Sequence, residues 1–182
     1  MICRGLSLLI LLWFLTGCAN LIKPNYTPSR DNISLMNDLK DAKLKALPFE
    51  QVKSFDLSCR ALGDIEPANN LTVAQFITKA FNDEFKIANI YSEDGKHISA
   101  KITKIEVSSS EGLFGGFWDL EILIMVQRDK NIRVSHKYEF KTAYLADIAC
   151  NRTAEALTKA VQGLINKTIT HPEFKEFLIP IT

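Results

Sequence analysis

The succession of hydrophobic patterns along the chain predicts an α+β fold: a two-layer sandwich with a mostly antiparallel sheet of about four strands, in the order β-α-β-β-β-α, and two helices on one face. Three observations lead there. A phenylalanine-rich stripe at helical spacing fills "TVAQFITKAFNDEFKI". Three alternating segments follow one another between Lys96 and Tyr144. A second helical stripe runs from about Asp147 to Ile169.

The chain opens on "MICRG", whose one basic side chain is Arg4, followed by the apolar run "LSLLILLWFL" from Leu6 to Leu15. A helix of that length reaches about 15 Å, half the hydrocarbon core of a bilayer, so it does not span a membrane. A charged start, a short apolar run and small residues at its end describe a secretory signal. The small-residue site is "LTGC", Leu15 to Cys18. Residues 1–17 therefore read as a signal peptide and 18–50 as the N-terminus and tether that follow it (lipidated, on the resemblance of "LTGC" to a lipoprotein cleavage site), leaving 51–182 as the folded domain.

Within the tether, "NLIKPNYTPSRDN" is polar, carries two prolines and has no periodicity. "SLMNDLKDAKLKAL" spaces Leu35, Leu39, Ala42 and Ala46 at helical intervals; a weak amphipathic helix and a solvated charged connector fit it equally. The first strand is expected from Val52 and Phe55 to about Leu62, with a turn-rich link to Asn70. The helix after it starts at Thr72, which has capping-box spacing to Gln75; Val73, Phe76, Ile77, Ala80, Phe81 and Phe85 fill one face.

"SEDG" turns the chain into "KHISAKITKIEVSSS", where Ile98, Ala100 and Ile102 alternate but Ile105 and Val107 fall out of phase. That switch predicts a bulge near Thr103–Lys104. "EGLFGG" closes a hairpin, and Trp118, Leu120, Ile122, Ile124 and Val126 share a face of the returning strand. A turn at Arg128–Asn131 precedes the cleanest alternation of the chain, Ile132 to Tyr144. In the last helix Leu157, Ala160, Val161, Leu164 and Thr168 form the stripe, with Gly163 a weak point worth about 1 kcal/mol against alanine. "HPEFKEFL" then tucks Phe174 and Phe177 against the domain.

Composition restricts function only broadly. Hydrophobic residues make up 47% and charged residues 24% of the chain, and the net charge is +1. A neutral chain without basic clusters argues against nucleic acid as a partner. His97, His136 and His171 have no paired ligand spacing, so no metal site is expected, and no nucleotide or cofactor fingerprint occurs. Asp119 and Glu121 share a strand face that reads as solvated. No catalytic residues are expected, and the chain reads as a non-enzyme.

Once Cys3 leaves with the signal and Cys18 takes the lipid, Cys59 and Cys150 remain as a pair. In an oxidising compartment a disulfide between them closes a loop worth about 4–5 kcal/mol in the chain-entropy model; two buried free thiols are the other reading. The hairpin aromatics Leu113, Phe114, Phe117 and Trp118 are a candidate interaction loop, unless they fold back on their own sheet. Leu123 and Met125, with Ile105 and Val107 beyond the bulge, are a candidate apolar patch on the second sheet face.

"LTGC" resembles the lipobox of bacterial lipoproteins, in which the cysteine thiol takes a diacylglycerol and the signal is cut just before it. Each buried methylene adds about 0.8 kcal/mol of membrane affinity, so three chains hold permanently. The resemblance further implies that Ala19, where an aspartate commonly retains inner-membrane lipoproteins, directs the chain to the outer membrane. From Leu71 onward, "YEFKTAYLADIACN" running into "ALTKAVQGLI" and the closing "HPEFKEFL" resemble the small proteobacterial lipoproteins of unknown function of the YajG-like group. The expectation is an outer-membrane-anchored periplasmic domain with a binding or structural role, held by its lipid and an envelope protein partner. An accessory of lipid or lipopolysaccharide transport and an envelope-acting enzyme are the alternatives.

Overall fold

The computed structural model describes residues 21–39, 41–127 and 130–178. The expected signal peptide, Cys18 and the centre of the Arg128–Asn131 turn lie outside them. Among the described residues, the elements in order are α1 (Arg30–Met36), β1 (Leu44–Ala46), β2 (Glu50–Gln51), α2 (Val73–Ile87), β3 (Lys96–Glu111), β4 (Gly115–Gln127), β5 (Lys130–Lys141), α3 (Ala146–Thr170) and α4 (Pro172–Leu178).

β3, β4 and β5 form an antiparallel meander, and β1 and β2 line up end to end, both parallel to β3 along its outer edge. The sheet is thus mixed α+β as expected, but with five strands. The strand expected from Val52 to Leu62 is a loop, fastened by an isolated bridge between Ser58 and Asp64. The helix considered for Ser34–Leu47 is replaced by α1, a single 3-10 turn at Asn37–Leu39 and then β1. Leu44, Ala46 and Phe49 enter the core. Three- and two-residue strands are too short for alternation to show in a sequence.

α2 begins with the expected capping box: the Gln75 amide donates to Thr72 Oγ1 at 3.2 Å, and Gln75 Oε1 accepts from the Thr72 amide at 2.8 Å. Its stripe of Phe76, Phe81 and Phe85 is buried, with Phe49 and Phe81 edge-to-face at 5.3 Å. Burying each ring contributes about 1.5–3 kcal/mol.

The bulge lies where the phase switch put it, between Ile102 and Lys104. It absorbs the extra residue, so Ile105 pairs with Leu120 on the core face and is 5% exposed. This removes Ile105 from the apolar patch expected on the second face. That face carries ion pairs instead: Lys104 to Asp119 at 2.6 Å and to Glu106 at 3.1 Å, and Arg133 with Glu121. Asp119 and Glu121 are part of this solvated network.

α3 lies across the core face of β4 and β5 and buries Leu157, Ala160, Val161, Leu164 and Thr168. Trp118 is fully buried beneath it and donates from Nε1 to the Thr153 carbonyl at 2.8 Å. Gly163 has a packing role. A Cβ there falls 2.0 Å from His136 Nε2, so the imidazole on β5 occupies the space that a side chain would take. Burial holds the His136 pKa below the usual histidine range. α4 closes the end of the core with Phe174 fully buried.

Gly163→Ala, normally a gain of about 1 kcal/mol in a helix, is expected to lower stability by about 1–3 kcal/mol through overpacking. His136→Ala in the same chain is expected to return much of that loss, and urea midpoints of the two single variants and the double variant measure both effects.

Candidate functional site

Residues 21–29 are not a free tether. They form an extended strap laid along α3, with Ile22 N–H donating to Asn151 Oδ1 at 2.9 Å, Thr158 Oγ1 to the Asn25 carbonyl at 3.1 Å, and Gln162 Nε2 to the Thr27 carbonyl at 2.6 Å. The partners climb from 151 to 162, so the strap runs parallel to α3 and, followed backward, heads for the start of that helix.

The strap is latched at its other end by Glu84, a fully buried carboxylate on α2. Glu84 Oε1 accepts from the Tyr26 hydroxyl, from the Ser29 amide at 2.9 Å and from Asn32 Nδ2 at 3.3 Å. Asn32 Nδ2 also donates to the Gln162 carbonyl at 2.9 Å, and Asn32 Oδ1 accepts from Asn166 Nδ2 at 3.0 Å. The Tyr26 ring stands edge-on to Phe76 at 5.8 Å. Burial raises the Glu84 pKa above the usual carboxylate range, against the lowering effect of its three donors. Burial and the Glu84 carboxylate together push the Tyr26 phenol up. Lysines and a hydroxyl-rich sequence gave no hint of this latch; the long-range pairing of a tyrosine with a stripe-edge glutamate leaves no local pattern.

The start of α3 belongs to one end of the molecule, together with the β3–β4 hairpin and the β5–α3 link. Gly115 pairs with Lys141, and the Thr142 amide donates to the Phe114 carbonyl at 2.7 Å. Arg60 ties these loops together. Its Nη1 donates to the Tyr144 carbonyl at 2.7 Å, Nη2 to the carbonyls of Ala143 and Ser109 at 3.0 Å each, and Nε to Ser109 Oγ at 3.2 Å. Only a planar fork serves so many acceptors at once. Beside it, Cys59 and Cys150 form a disulfide with Cα atoms 5.7 Å apart, joining the loop after β2 to the first turns of α3.

The structure divides the four hairpin residues singled out from the sequence. Leu113 is 84% and Phe114 57% exposed, but Phe117 is 9% exposed beneath the Lys137 ammonium, 4.4 Å from its ring centre, and Trp118 is in the core. Phe117 and Trp118 are therefore not part of an interaction surface. In their place the structure adds Tyr144, Leu145 and Ile148, which are 83%, 59% and 39% exposed. The alternation in the sequence runs on to Tyr144, but the strand ends at Lys141 and the Tyr144 ring is exposed on the link that follows.

Among the described residues, no three His, Cys, Asp or Glu side chains converge on a metal-sized site. Open clefts line the surface of the described residues. One of about 460 Å³ runs between the loop after β2 and the start of α2, with Phe55, Leu57, Ile65, Leu71 and Val73 along its apolar side.

No protein-family model matches the sequence. No curated protein matches it either. The fold is similar to the crystal structure of a Xanthomonas campestris protein of family DUF330, at 10% sequence identity and a TM-score of 0.55, covering 86% of this chain and 99% of that one. An uncharacterised protein of known structure aligns over 69% of this chain and 87% of its own at 10% identity and a TM-score of 0.34, too low to carry an argument. The chain thus shares its fold with a bacterial protein of unknown function.

Two outcomes are expected from these contacts. The native state keeps the Glu84 proton to higher pH than the unfolded chain does, so this group's contribution is full at low pH and is lost as pH rises through the raised value. The stability of Glu84→Gln relative to the parent is therefore expected to increase with pH from the ordinary carboxylate range upward, as read from urea midpoints across pH. Replacing Cys59 and Cys150 by alanine together is expected to cost about 2–5 kcal/mol and to open the 143–148 link to limited proteolysis.

Proposed function

We propose that the chain is a lipoprotein anchored in the outer membrane, with its domain in the periplasm as a non-enzymatic binding or structural module of the cell envelope. The observation that carries this reading is "LTGC" at the end of a short apolar run, which places a lipid-accepting thiol at Cys18. The Cys59–Cys150 bridge supports it, because such bonds persist in oxidising compartments. The alanine at position 19 favours the outer over the inner membrane.

A second reading, an accessory of lipid or lipopolysaccharide transport, is favoured by the apolar side of the 460 Å³ cleft, whose size falls within the range of small-molecule sites. Crosslinking in intact cells separates the two: scaffold proteins of the envelope support the first, a transporter or barrel the second.

The N-terminal peptide of the membrane-extracted chain is expected to begin at Cys18 and to carry the mass of a diacylglycerol and an acyl chain. Cys18→Ala is expected to move the protein out of the membrane fraction. A chain that begins elsewhere, or an unmodified Cys18, overturns the anchor.

A further inference from the structure

Leu113, Phe114, Tyr144, Leu145 and Ile148 stand exposed at the end of the molecule where α3 begins, whereas Leu35, Val52 and Ile87 sit singly on α1, on the loop after β2 and at the end of α2. Two independent devices fix the end in shape: the Arg60 fork on the link carbonyls and the Cys59–Cys150 bridge beneath it. An exposed apolar cluster on a fixed scaffold is the kind of surface that marks an interaction site.

The strap bears on what would cover it. Ile22 is bonded to Asn151, one turn beyond Ile148 on α3, so the described chain begins beside the cluster. Three peptide steps separate Leu21 from Cys18, a reach of at most about 11 Å. The strap cannot serve as a spacer, because from Ile22 to Asn32 it is fastened to α3 and Glu84. A diacylglyceryl group on Cys18 lies where headgroups meet acyl chains, so the start of α3 is brought against the bilayer surface.

We infer that this end is a membrane-seating surface, with Leu113, Phe114, Tyr144, Leu145 and Ile148 entering the lipid interface beside the lipidated Cys18. The inference rests on the lipid-anchor reading above. The exposed charges on the segments that carry these residues and on the Arg60 loop are nearly balanced: Arg60, Lys141 and Arg152 against Glu111 and Asp147. Apolar insertion beside a covalent anchor therefore holds the domain, without need of anionic lipid. The arrangement lays the sheet and α3 upright from the membrane, with the turn at Ser92–Gly95 away from it, at the other end of β3.

The test uses the full-length lipidated protein in zwitterionic phosphatidylcholine vesicles containing acyl-brominated lipid. Leu113→Cys, Leu145→Cys and Asp94→Cys are each labelled with an environment-sensitive fluorophore, the Cys59–Cys150 bridge being left intact. Quenching at 113 and 145 several-fold greater than at 94 is expected. Equal quenching at the three positions, in protein whose N-terminal peptide carries the lipid mass and which floats with the vesicles, overturns the seating and leaves the anchor standing. Protein with an unmodified Cys18 overturns the anchor and the seating with it. Leu113→Ser with Leu145→Ser is expected to keep the protein vesicle-bound while a label at Phe114→Cys loses its quenching; unchanged quenching there also counts against the seating.

Discussion

The sheet has one apolar face, and α3 is the element that covers it. Trp118, Leu120, Ile122 and Ile124 of β4 and Ile132 and Val134 of β5 are all buried on that side, while the opposite side is a lattice of lysine, arginine and carboxylates. Everything else is placed by reference to this helix. Its inward stripe meets the sheet, Gly163 opens a notch for His136, and its flank receives the strap through Asn151, Thr158 and Gln162. α2 completes the layer, and Glu84 on its flank reaches the same strap from the other side. A buried carboxylate with one oxygen lacking a protein partner is a costly latch, and the cost is offset because one oxygen gathers three donors from the strap and α1.

Elements with a long repeating signal were legible in the sequence. Six α2 side chains and the capping box, three strands of 12 to 16 residues, and the α3 stripe all announce themselves by period. The break in phase at Thr103–Lys104 gave the bulge, though not its effect: the bulge keeps Ile105 in the core, and the expected patch on the open face is reduced accordingly. β1 and β2 were not legible, since parallel pairing to β3 is decided by partners some fifty residues away. The strap was misread for a related reason. Its prolines and polar residues look like a linker, and they fold onto the domain through backbone groups and one buried glutamate.

The end of the molecule shows the same division. Glycines around aromatic residues marked the hairpin as a feature, and the structure keeps Leu113 and Phe114 while removing Phe117 and Trp118. Side chains of one strand face alternate, so a tip and the core beneath it are neighbours in sequence. Tyr144 was hidden at the end of the strand alternation, Ile148 near the start of the last helix, and Leu145 in the short gap between the two segments. The Arg60 fork that holds them has no sequence signature, because all its main-chain acceptors are distant along the chain.

The bridge between Cys59 and Cys150 spans 91 positions. On a growing polypeptide its second half appears only after every strand has been made, so the sheet and α2 are available to form before the link can close. A reduced chain therefore carries its exposed apolar tip on loops secured by hydrogen bonds alone, those of Arg60 and of Thr142 to the hairpin. Oxidation is the step that stiffens it, by tying the loop after β2 to the first turns of α3.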